Sequence, residues 1–224
     1  MLSNPTPLRG TPDVRRMRGT VPAVHAITND FVLASPGFVA AATAVMHACG
    51  QRVAIHVRAA ATSSHRLLEL ALELRVISEI TGSWVLIHDR VDIAMVAGVT
   101  GAQLTTRSLT LADARRIAPD MVVGGSVHAT ADAWMAARSG ADFLVAGPID
   151  DGAEVSDPVQ FVEQVVEAAE GCPVIAVGGM TPERASRMAR AGATGIAAMR
   201  GIWLDDAASA TRRYLAAYDE GFRR

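Results

Sequence analysis

After residue 20 the chain alternates between short apolar runs rich in β-branched residues and longer stretches whose apolar residues recur at helical spacing. The apolar runs predict eight strands, at 21–29, 52–58, 84–90, 102–105, 121–128, 142–148, 173–179 and 194–200. The stretches between and after them predict eight helices, at 36–48, 63–80, 91–98, 110–117, 130–139, 157–170, 181–191 and 206–221. The regular alternation of strand and helix is typical of an α/β fold with parallel strands.

Residues that begin and end helices support these boundaries. Thr130, Asp157 and Thr181 stand at predicted N-caps, and Pro158 and Pro182 follow at the first helical position. Five glycines are expected to end helices in the left-handed conformation: Gly50, Gly98, Gly140, Gly171 and Gly192. Several strands are almost continuously apolar, which indicates a parallel sheet that is buried on both faces.

Eight strand–helix units over residues 21–224 predict a single (β/α)₈ TIM barrel domain. The alternative is an open doubly wound sheet, but no G-x-G-x-x-G follows the first strand, and Val123-Gly124-Gly125-Ser126 lacks that spacing. Residues 1–20 are rich in Pro, Gly, Thr and Arg and contain no apolar run. We therefore expect them to form a flexible N-terminal arm that precedes the barrel.

Composition restricts the chemistry. All 21 basic residues are arginine, so mechanisms that need a lysine, such as Schiff-base catalysis or a P-loop, are excluded. The formal net charge of −2 argues against nucleic-acid binding, and no apolar run reaches membrane-spanning length. Cys49 and Cys172 have neither metal nor redox spacing, which indicates a reducing, cytoplasmic compartment. Assembly into a homo-oligomer stays open.

In a barrel the functional groups follow the carboxyl ends of the strands, and small residues follow the last two. Gly178 and Gly179 come after the seventh strand, and Arg200 and Gly201 come after the eighth. Such glycines let backbone N–H groups approach a phosphate, with Arg200 as an additional charge partner. A tight turn with no ligand is the alternative. We predict a phosphate-binding site.

Histidine can both take and give a proton near neutral pH, and His128 ends the fifth strand. It is the catalytic candidate, and Ser126 lies two residues earlier on the same face, where its hydroxyl could orient the imidazole or an anion. A histidine packed at the barrel rim is the alternative.

Arg58 is a candidate anion ligand by its position at the end of the second strand, with a salt bridge as the alternative. Asn29, Asp89 and Gln103 are further candidates at strand ends. The end of the fourth strand, 105–108, holds no acid, so we expect no metal. His25 and His56 are assigned to the core, whereas His88 stays ambiguous.

Several stretches, taken together and in order, resemble the thiamine phosphate synthase/TenI superfamily over residues 23–220. They are His25 to Asp30, Ile55 to Arg58, Arg90 to Ala94, Gly125 to His128, Gly140 to Asp142, Gly147-Pro148, Pro173 to Pro182 and Gly192 to Ala197. The resemblance implies one of two activities. Synthases join a hydroxymethylpyrimidine pyrophosphate to a thiazole phosphate with Mg²⁺, whereas TenI-type tautomerases aromatise a thiazole carboxylate phosphate without metal.

The residues at which this chain departs from the synthase pattern decide which of the two activities we expect. Synthases resembling this chain carry a lysine where Ala60 stands and another in the acidic loop at 150–155, and they place a metal-binding aspartate near Thr105-Thr106-Arg107. Asp89 matches their other metal-binding aspartate. We therefore expect a thiazole tautomerase with no cofactor, whose partner is a small phosphorylated thiazole. In that reaction His128 moves the proton, and Arg58 or Ser126 steadies the carboxylate. The alternatives are a divergent Mg²⁺-dependent synthase and a non-catalytic, regulatory phosphate-binding barrel.

Overall fold

The computed structural model describes residues 21–149, 157–204 and 206–223. Its eight strands all pair in parallel and close into one barrel in chain order, β1 to β8. The strands are β1 Val24–Ile27, β2 Val53–Val57, β3 Trp84–His88, β4 Gly101–Leu104, β5 Val122–Val127, β6 Phe143–Ala146, β7 Val174–Val177 and β8 Gly195–Ala198. The predicted (β/α)₈ barrel is confirmed.

Helices follow every strand on the outside of the barrel. They are α1 Asp30–Leu33, α2 Phe38–Cys49, α3 Ser64–Thr81, α4 Val91–Ala97, α5 Leu111–Ile117, α6 Thr130–Arg138, α7 Pro158–Ala168, α8 Pro182–Arg190 and α9 Ala207–Phe222, with a 3₁₀ turn at Gly50–Arg52. In the described part of the chain, no helix combines the length and apolarity needed to cross a membrane.

Two local predictions differ from the structure. The one-turn helix α1 was not predicted, and it begins where the Asn29 side chain accepts a hydrogen bond from Val32 N at 3.0 Å. Thr130 is not an N-cap but the first residue of α6, because Ala129 occupies the cap position. Thr181 and Asp157 do cap their helices as predicted.

The core has two layers, as a barrel requires. Trp84, Leu86, Phe143 and Ile175 fill the inside of the barrel, and a larger cluster lies between the strands and the helices. Because all strands run in parallel, their carboxyl ends meet at one end of the barrel, where the polar strand ends of the sequence collect. The predicted N-terminal arm and residues 150–156 of the acidic loop lie outside the described residues.

Candidate active site

His128 follows β5 at the carboxyl end of the barrel, and its side chain is exposed. Its Nδ1 lies 2.5 Å from the carbonyl oxygen of Gly147, which follows β6. Since a carbonyl oxygen only accepts, Nδ1 carries a proton, and in the neutral form of the ring Nε2 is the nitrogen with the lone pair. The backbone is fixed as well, because Asp132 Oδ2 accepts from His128 N at 3.2 Å and from Ala129 N at 3.0 Å. This arrangement presents Nε2 as a proton acceptor.

Gly147 can hold this position only because it lacks a side chain. Its φ is +148°, and a Cβ built there would lie 2.1 Å from the backbone oxygen of Val177, at the end of the neighbouring strand β7. No side chain fits so close to a carbonyl oxygen. The residue that orients His128 is therefore a glycine backbone and not Ser126, the orienting group proposed from the sequence.

Ser126 contacts Gln103 instead. The Gln103 side chain is buried, and its Nε2 donates to Ser126 Oγ at 3.1 Å and to the Leu104 carbonyl oxygen at 3.2 Å. The contact with the Leu104 carbonyl fixes which end of the amide is the donor. Oε1 consequently points the other way, where it is buried without a partner among the described residues.

Asp89 directly follows β3 and is paired with Thr105, which directly follows β4. Thr105 N donates to Asp89 Oδ1 at 2.7 Å, and Thr105 Oγ1 donates to Asp89 Oδ2 at 3.0 Å. The Asp89 backbone has a φ of +57°, a conformation that aspartate and asparagine tolerate better than most residues. Thr105 thus supplies two donors to Asp89, a role that the sequence analysis did not assign to it.

Arg58 follows β2 with an exposed side chain, and its backbone is clamped by Thr28. Arg58 N donates to Thr28 Oγ1 at 2.9 Å, and the same hydroxyl lies 3.2 Å from the Arg58 carbonyl oxygen. Asp30 orders the loop that comes next, since its carboxylate accepts from Ala60 N, Ala61 N and Thr62 N at 2.8–3.0 Å. These backbone donors hold the pKa of Asp30 well below its usual value.

The turns after β7 and β8 have the glycines that a phosphate site needs. Gly178 and Gly179 have φ values of +124° and +47°, and the turn leads into α8, which begins at Pro182 with Thr181 as its N-cap. A Cβ at Gly201 would lie 2.1 Å from the hydroxyl of Tyr214, which donates to the Met180 carbonyl oxygen at 2.8 Å. Tyr214, in α9, therefore ties the two turns together, and nothing in the sequence indicated it.

The synthase alternative implies Mg²⁺, and Asp89 is the residue that could hold the ion. Each of its carboxylate oxygens accepts one hydrogen bond and so retains a lone pair. One carboxylate combined with phosphate oxygens and water is a donor set that Mg²⁺ accepts. Among the described residues there is no cluster of three or more His, Cys, Asp or Glu that could hold a metal without such a substrate. The residues fit Mg²⁺ that arrives with a phosphorylated substrate.

The structure thus places the predicted residues at one end of the barrel, but only some of them form hydrogen bonds with each other. Gln103 contacts Ser126, and its carbonyl oxygen accepts from Asp89 N at 2.9 Å. Asn29 acts as the cap of α1. Arg200 is exposed after β8, beside the turn that holds Gly201.

Comparison of the sequence with known proteins relates this chain to thiamine phosphate synthases. The profile of the family described as thiamine monophosphate synthase matches residues 26–202. The thiamine-phosphate synthase of Chloroflexus aurantiacus is 31% identical over 176 residues, which cover 75% of this chain and 80% of that protein. The thiamine-phosphate synthase of Pyrococcus abyssi is 29% identical over 157 residues, covering 68% and 75% of the two chains.

Solved structures agree in fold. Thiamine phosphate pyrophosphorylase from Pyrococcus furiosus superposes with a TM-score of 0.79 at 23% identity, covering 92% of this chain and 98% of that one. These relatives are synthases, so the comparisons favour the synthase alternative over the tautomerase that we expected from the missing lysines. The extent of the profile match and the identity to the Chloroflexus protein establish that the chain belongs to the thiamine monophosphate synthase family.

Proposed function

We propose that this protein is a thiamine-phosphate synthase of thiamine biosynthesis, which joins a hydroxymethylpyrimidine pyrophosphate to a thiazole phosphate. The observation that carries the proposal is the family match over residues 26–202. The relatives from Chloroflexus aurantiacus and Pyrococcus abyssi described above are both named as thiamine-phosphate synthases. The barrel end supports the proposal, because Arg58 and Asp89 follow β2 and β3 at the same end as the glycine turns after β7 and β8.

Each part of the site has a defined task in this reaction. The glycine turns after β7 and β8 bind the thiazole phosphate through backbone N–H groups, with Arg200 nearby as a cation. Arg58 faces the pyrophosphate, where its planar guanidinium forms paired hydrogen bonds with phosphate oxygens. Asp89 would hold Mg²⁺, which would supply positive charge to the departing pyrophosphate. Thr105 fixes the Asp89 carboxylate for that purpose.

Three departures set this protein apart from the synthases that it resembles. Ala60 stands where they carry a lysine, and the loop at 150–155 has acids where they carry another. Residues 105–107 lack the second metal-binding aspartate of those synthases. Each lost contact to a developing charge commonly costs several kcal/mol of transition-state stabilisation. We therefore expect a slow synthase with a strong dependence on Arg58.

The second candidate is the thiazole tautomerase, which the geometry of His128 favours. A tautomerisation needs one group that takes a proton and gives it back, and the contact of Nδ1 with the Gly147 carbonyl leaves Nε2 of His128 as the nitrogen that exchanges the proton. No metal is needed for this step. The anion site at Gly178 and Gly179 serves the same thiazole phosphate in both reactions.

Two assays run in parallel on the purified full-length protein test these proposals. Coupling of the two substrates is followed by chromatography with and without Mg²⁺, and aromatisation of the thiazole carboxylate tautomer is followed by absorbance. A synthase couples in Mg²⁺ and loses at least tenfold in rate on Asp89→Asn, a change that the left-handed backbone tolerates. His65→Gln, at an exposed position of α3, is the matched control.

The outcomes separate the candidates. Aromatisation without coupling, reduced about 10²–10⁴-fold by His128→Ala, would replace the synthase with the tautomerase. Activity in neither assay, with phosphate binding retained, would contradict both enzymes and favour a regulatory barrel.

A further inference from the structure

The turn that follows β8 is tied to the end of β1 by a tryptophan. β1 and β8 are the first and last strands of the barrel, and their ladder ends with the pair Ala26 and Ala198. Beyond that pair, Trp203 Nε1 donates to the Ile27 carbonyl oxygen at 2.6 Å. A side chain therefore joins the two strands at the carboxyl end of the barrel, where the site residues collect.

The turn itself is closed by backbone hydrogen bonds. Ile202 N and Trp203 N both donate to the Met199 carbonyl oxygen, at 3.1 and 3.4 Å. Arg200 and Gly201, two residues of the predicted phosphate site, lie inside this short loop. Because the loop is closed, a displacement of Trp203 relative to β1 would also displace the residues inside it.

Packing does not account for a tryptophan at this position. The ring of Trp203 is only partly buried, and it lies edge-on to Phe38 of α2, with 5.5 Å between the ring centroids and 61° between the ring planes. It also borders an open apolar groove of about 430 Å³. Both contacts are apolar, so they require an aromatic ring but no hydrogen-bond donor. The N–H group is the feature that phenylalanine lacks, and it is the group that bonds to Ile27.

The contact of Trp203 complements that of Tyr214. The Tyr214 hydroxyl fits against Gly201 and donates to the Met180 carbonyl oxygen in the turn after β7. Trp203 attaches the same loop to the strand on its other side, since β8 lies between β7 and β1 in the barrel. The loop of Arg200 is therefore held from both neighbouring strands.

We propose that Trp203 is a positioning residue for the phosphate group of the substrate. Its bond to the Ile27 carbonyl fixes the loop, so that Arg200 and the backbone N–H of Gly201 meet the phosphate oxygens. Trp203 acts through the loop, because its single N–H is already used. Hydrogen bonds weaken steeply when donor and acceptor lose their geometry, so a small shift of the loop affects several of them at once. The inference rests on the phosphate site of the proposed function, which the synthase and the tautomerase would share.

Trp203→Phe removes the N–H and keeps an aromatic ring beside Phe38. We expect the folded variant to bind inorganic phosphate about fivefold more weakly in calorimetric titration, the effect of losing one neutral hydrogen bond. KM for the thiazole phosphate should rise by the same factor, whereas kcat should change by less than about twofold, because the phosphate is bound equally in the ground and transition states. A variant that is only less stable to urea, with wild-type phosphate affinity, would overturn the proposal.

Trp134→Phe is the matched control for replacing a tryptophan. Trp134 lies in α6, which follows β5, and it is about half exposed beside the Arg138 guanidinium. We expect this variant to keep the wild-type phosphate affinity. An equal loss in both variants would show that the effect does not come from the bond to Ile27, and it would contradict the proposal.

An isosteric replacement tests the N–H without altering the shape of the ring. Benzothiophene has the two fused rings of indole with a sulfur atom in place of the N–H, and it is introduced at position 203 alone. We expect the same loss of phosphate affinity as in Trp203→Phe. Wild-type affinity in this protein would overturn the proposal, and the result stands even if Trp203→Phe does not fold.

Phosphate binding is measured without turnover, so this test is separate from that of the proposed function. Coupling activity in the wild-type protein, with one phosphate affinity in all of these variants, would support the synthase and contradict the role of Trp203. Weaker phosphate binding in both position-203 variants of a protein that shows neither activity would support the role of Trp203 and contradict both enzymes. A wild-type protein that does not bind phosphate would overturn the inference.

Discussion

The imidazole of His128 and the backbone of Gly147 are joined by a hydrogen bond between the ends of two neighbouring strands, β5 and β6. In the tautomerase alternative His128 would supply the nitrogen that moves the proton, and Gly147 would determine which nitrogen it is. The partner is a carbonyl group, so any substitution at position 147 that keeps the backbone in place keeps the contact. The restriction at Gly147 comes from the space around its Cα.

Gly147→Ala should damage both stability and function. The new Cβ would meet the Val177 oxygen at 2.1 Å, so the backbone must move, at a cost of about 2 kcal/mol or more in the free energy of unfolding. The displaced carbonyl would release His128. Gly171→Ala is the control, because it also has positive φ but no atom within 4 Å of its Cβ position. Urea unfolding and the two enzyme assays check both variants, and equal effects would refute this account.

Asp30 should make stability fall in acid. Its folded pKa is lowered from 3.8, chiefly by the Ala60 N–H and the Thr62 hydroxyl. Its contribution is therefore complete above pH 3.8 and is lost as the pH falls below 3.8 toward the folded value. We expect Asp30→Asn to lose stability at pH 6 and to depend less on pH below 4, as measured by urea unfolding. Thr62→Val, which removes one donor, should have a smaller effect of the same kind.

Burial of His25 should also make the free energy of unfolding fall in acid, beginning at a higher pH than the effect of Asp30. The ring is neutral when buried, with its pKa lowered from 6.5 to about 3, so only the unfolded chain takes up a proton between these values. Stability is complete above pH 6.5 and falls below it, by about 1.4 kcal/mol per pH unit for this one proton. His25→Gln should reduce the slope between pH 6 and 4, with His65→Gln as the control for replacing a histidine. An unaltered slope in folded His25→Gln would contradict the assignment.

Tyr214→Phe isolates the hydrogen bond between the hydroxyl and the Met180 carbonyl oxygen. The ring still fills its place in the core, so we expect a loss of about 1 kcal/mol in the free energy of unfolding. The turn after β7 should also bind phosphate less tightly, by calorimetric titration with inorganic phosphate. Tyr218→Phe is the matched control, since its hydroxyl donates to the Ala193 and Thr194 carbonyl oxygens at the opposite end of β8. Equal effects on phosphate binding would contradict the specific role of Tyr214.

Much of the fold could be predicted because local signals coincide. The run Val174–Val177 is apolar throughout and is followed by Gly178, Gly179 and the Thr181-Pro182 helix start, so strand, turn and helix are all marked in the sequence. Helix α1 carried no such signal. It has only four residues, too few for a periodic pattern, and its cap Asn29 was interpreted as a site residue.

The site could be predicted residue by residue, but its contacts could not. Asp89 and Thr105 lie 16 residues apart, and their contact depends on how β3 and β4 pair. His25 and His56 were assigned to the core, yet the hydrogen bonds that join His25 to His56 and His56 to His88 depend on a register that no local pattern specifies. The missing lysines favoured a tautomerase, whereas the family match over residues 26–202 favours the synthase. Overall similarity indicates the family to which the chain belongs, whereas the loss of single residues bears on the reaction at its site.

The contact of Tyr214 with the turns after β7 and β8 has a consequence for synthesis of the protein on the ribosome. Strand β1 emerges first but lies unpaired on one side until β8 arrives, about 170 residues later along the chain. Even then the Met180 carbonyl gains its donor only when α9 has left the exit tunnel. The turns after β7 and β8 are therefore finished last, so a nascent chain closes its barrel before it completes the proposed phosphate site.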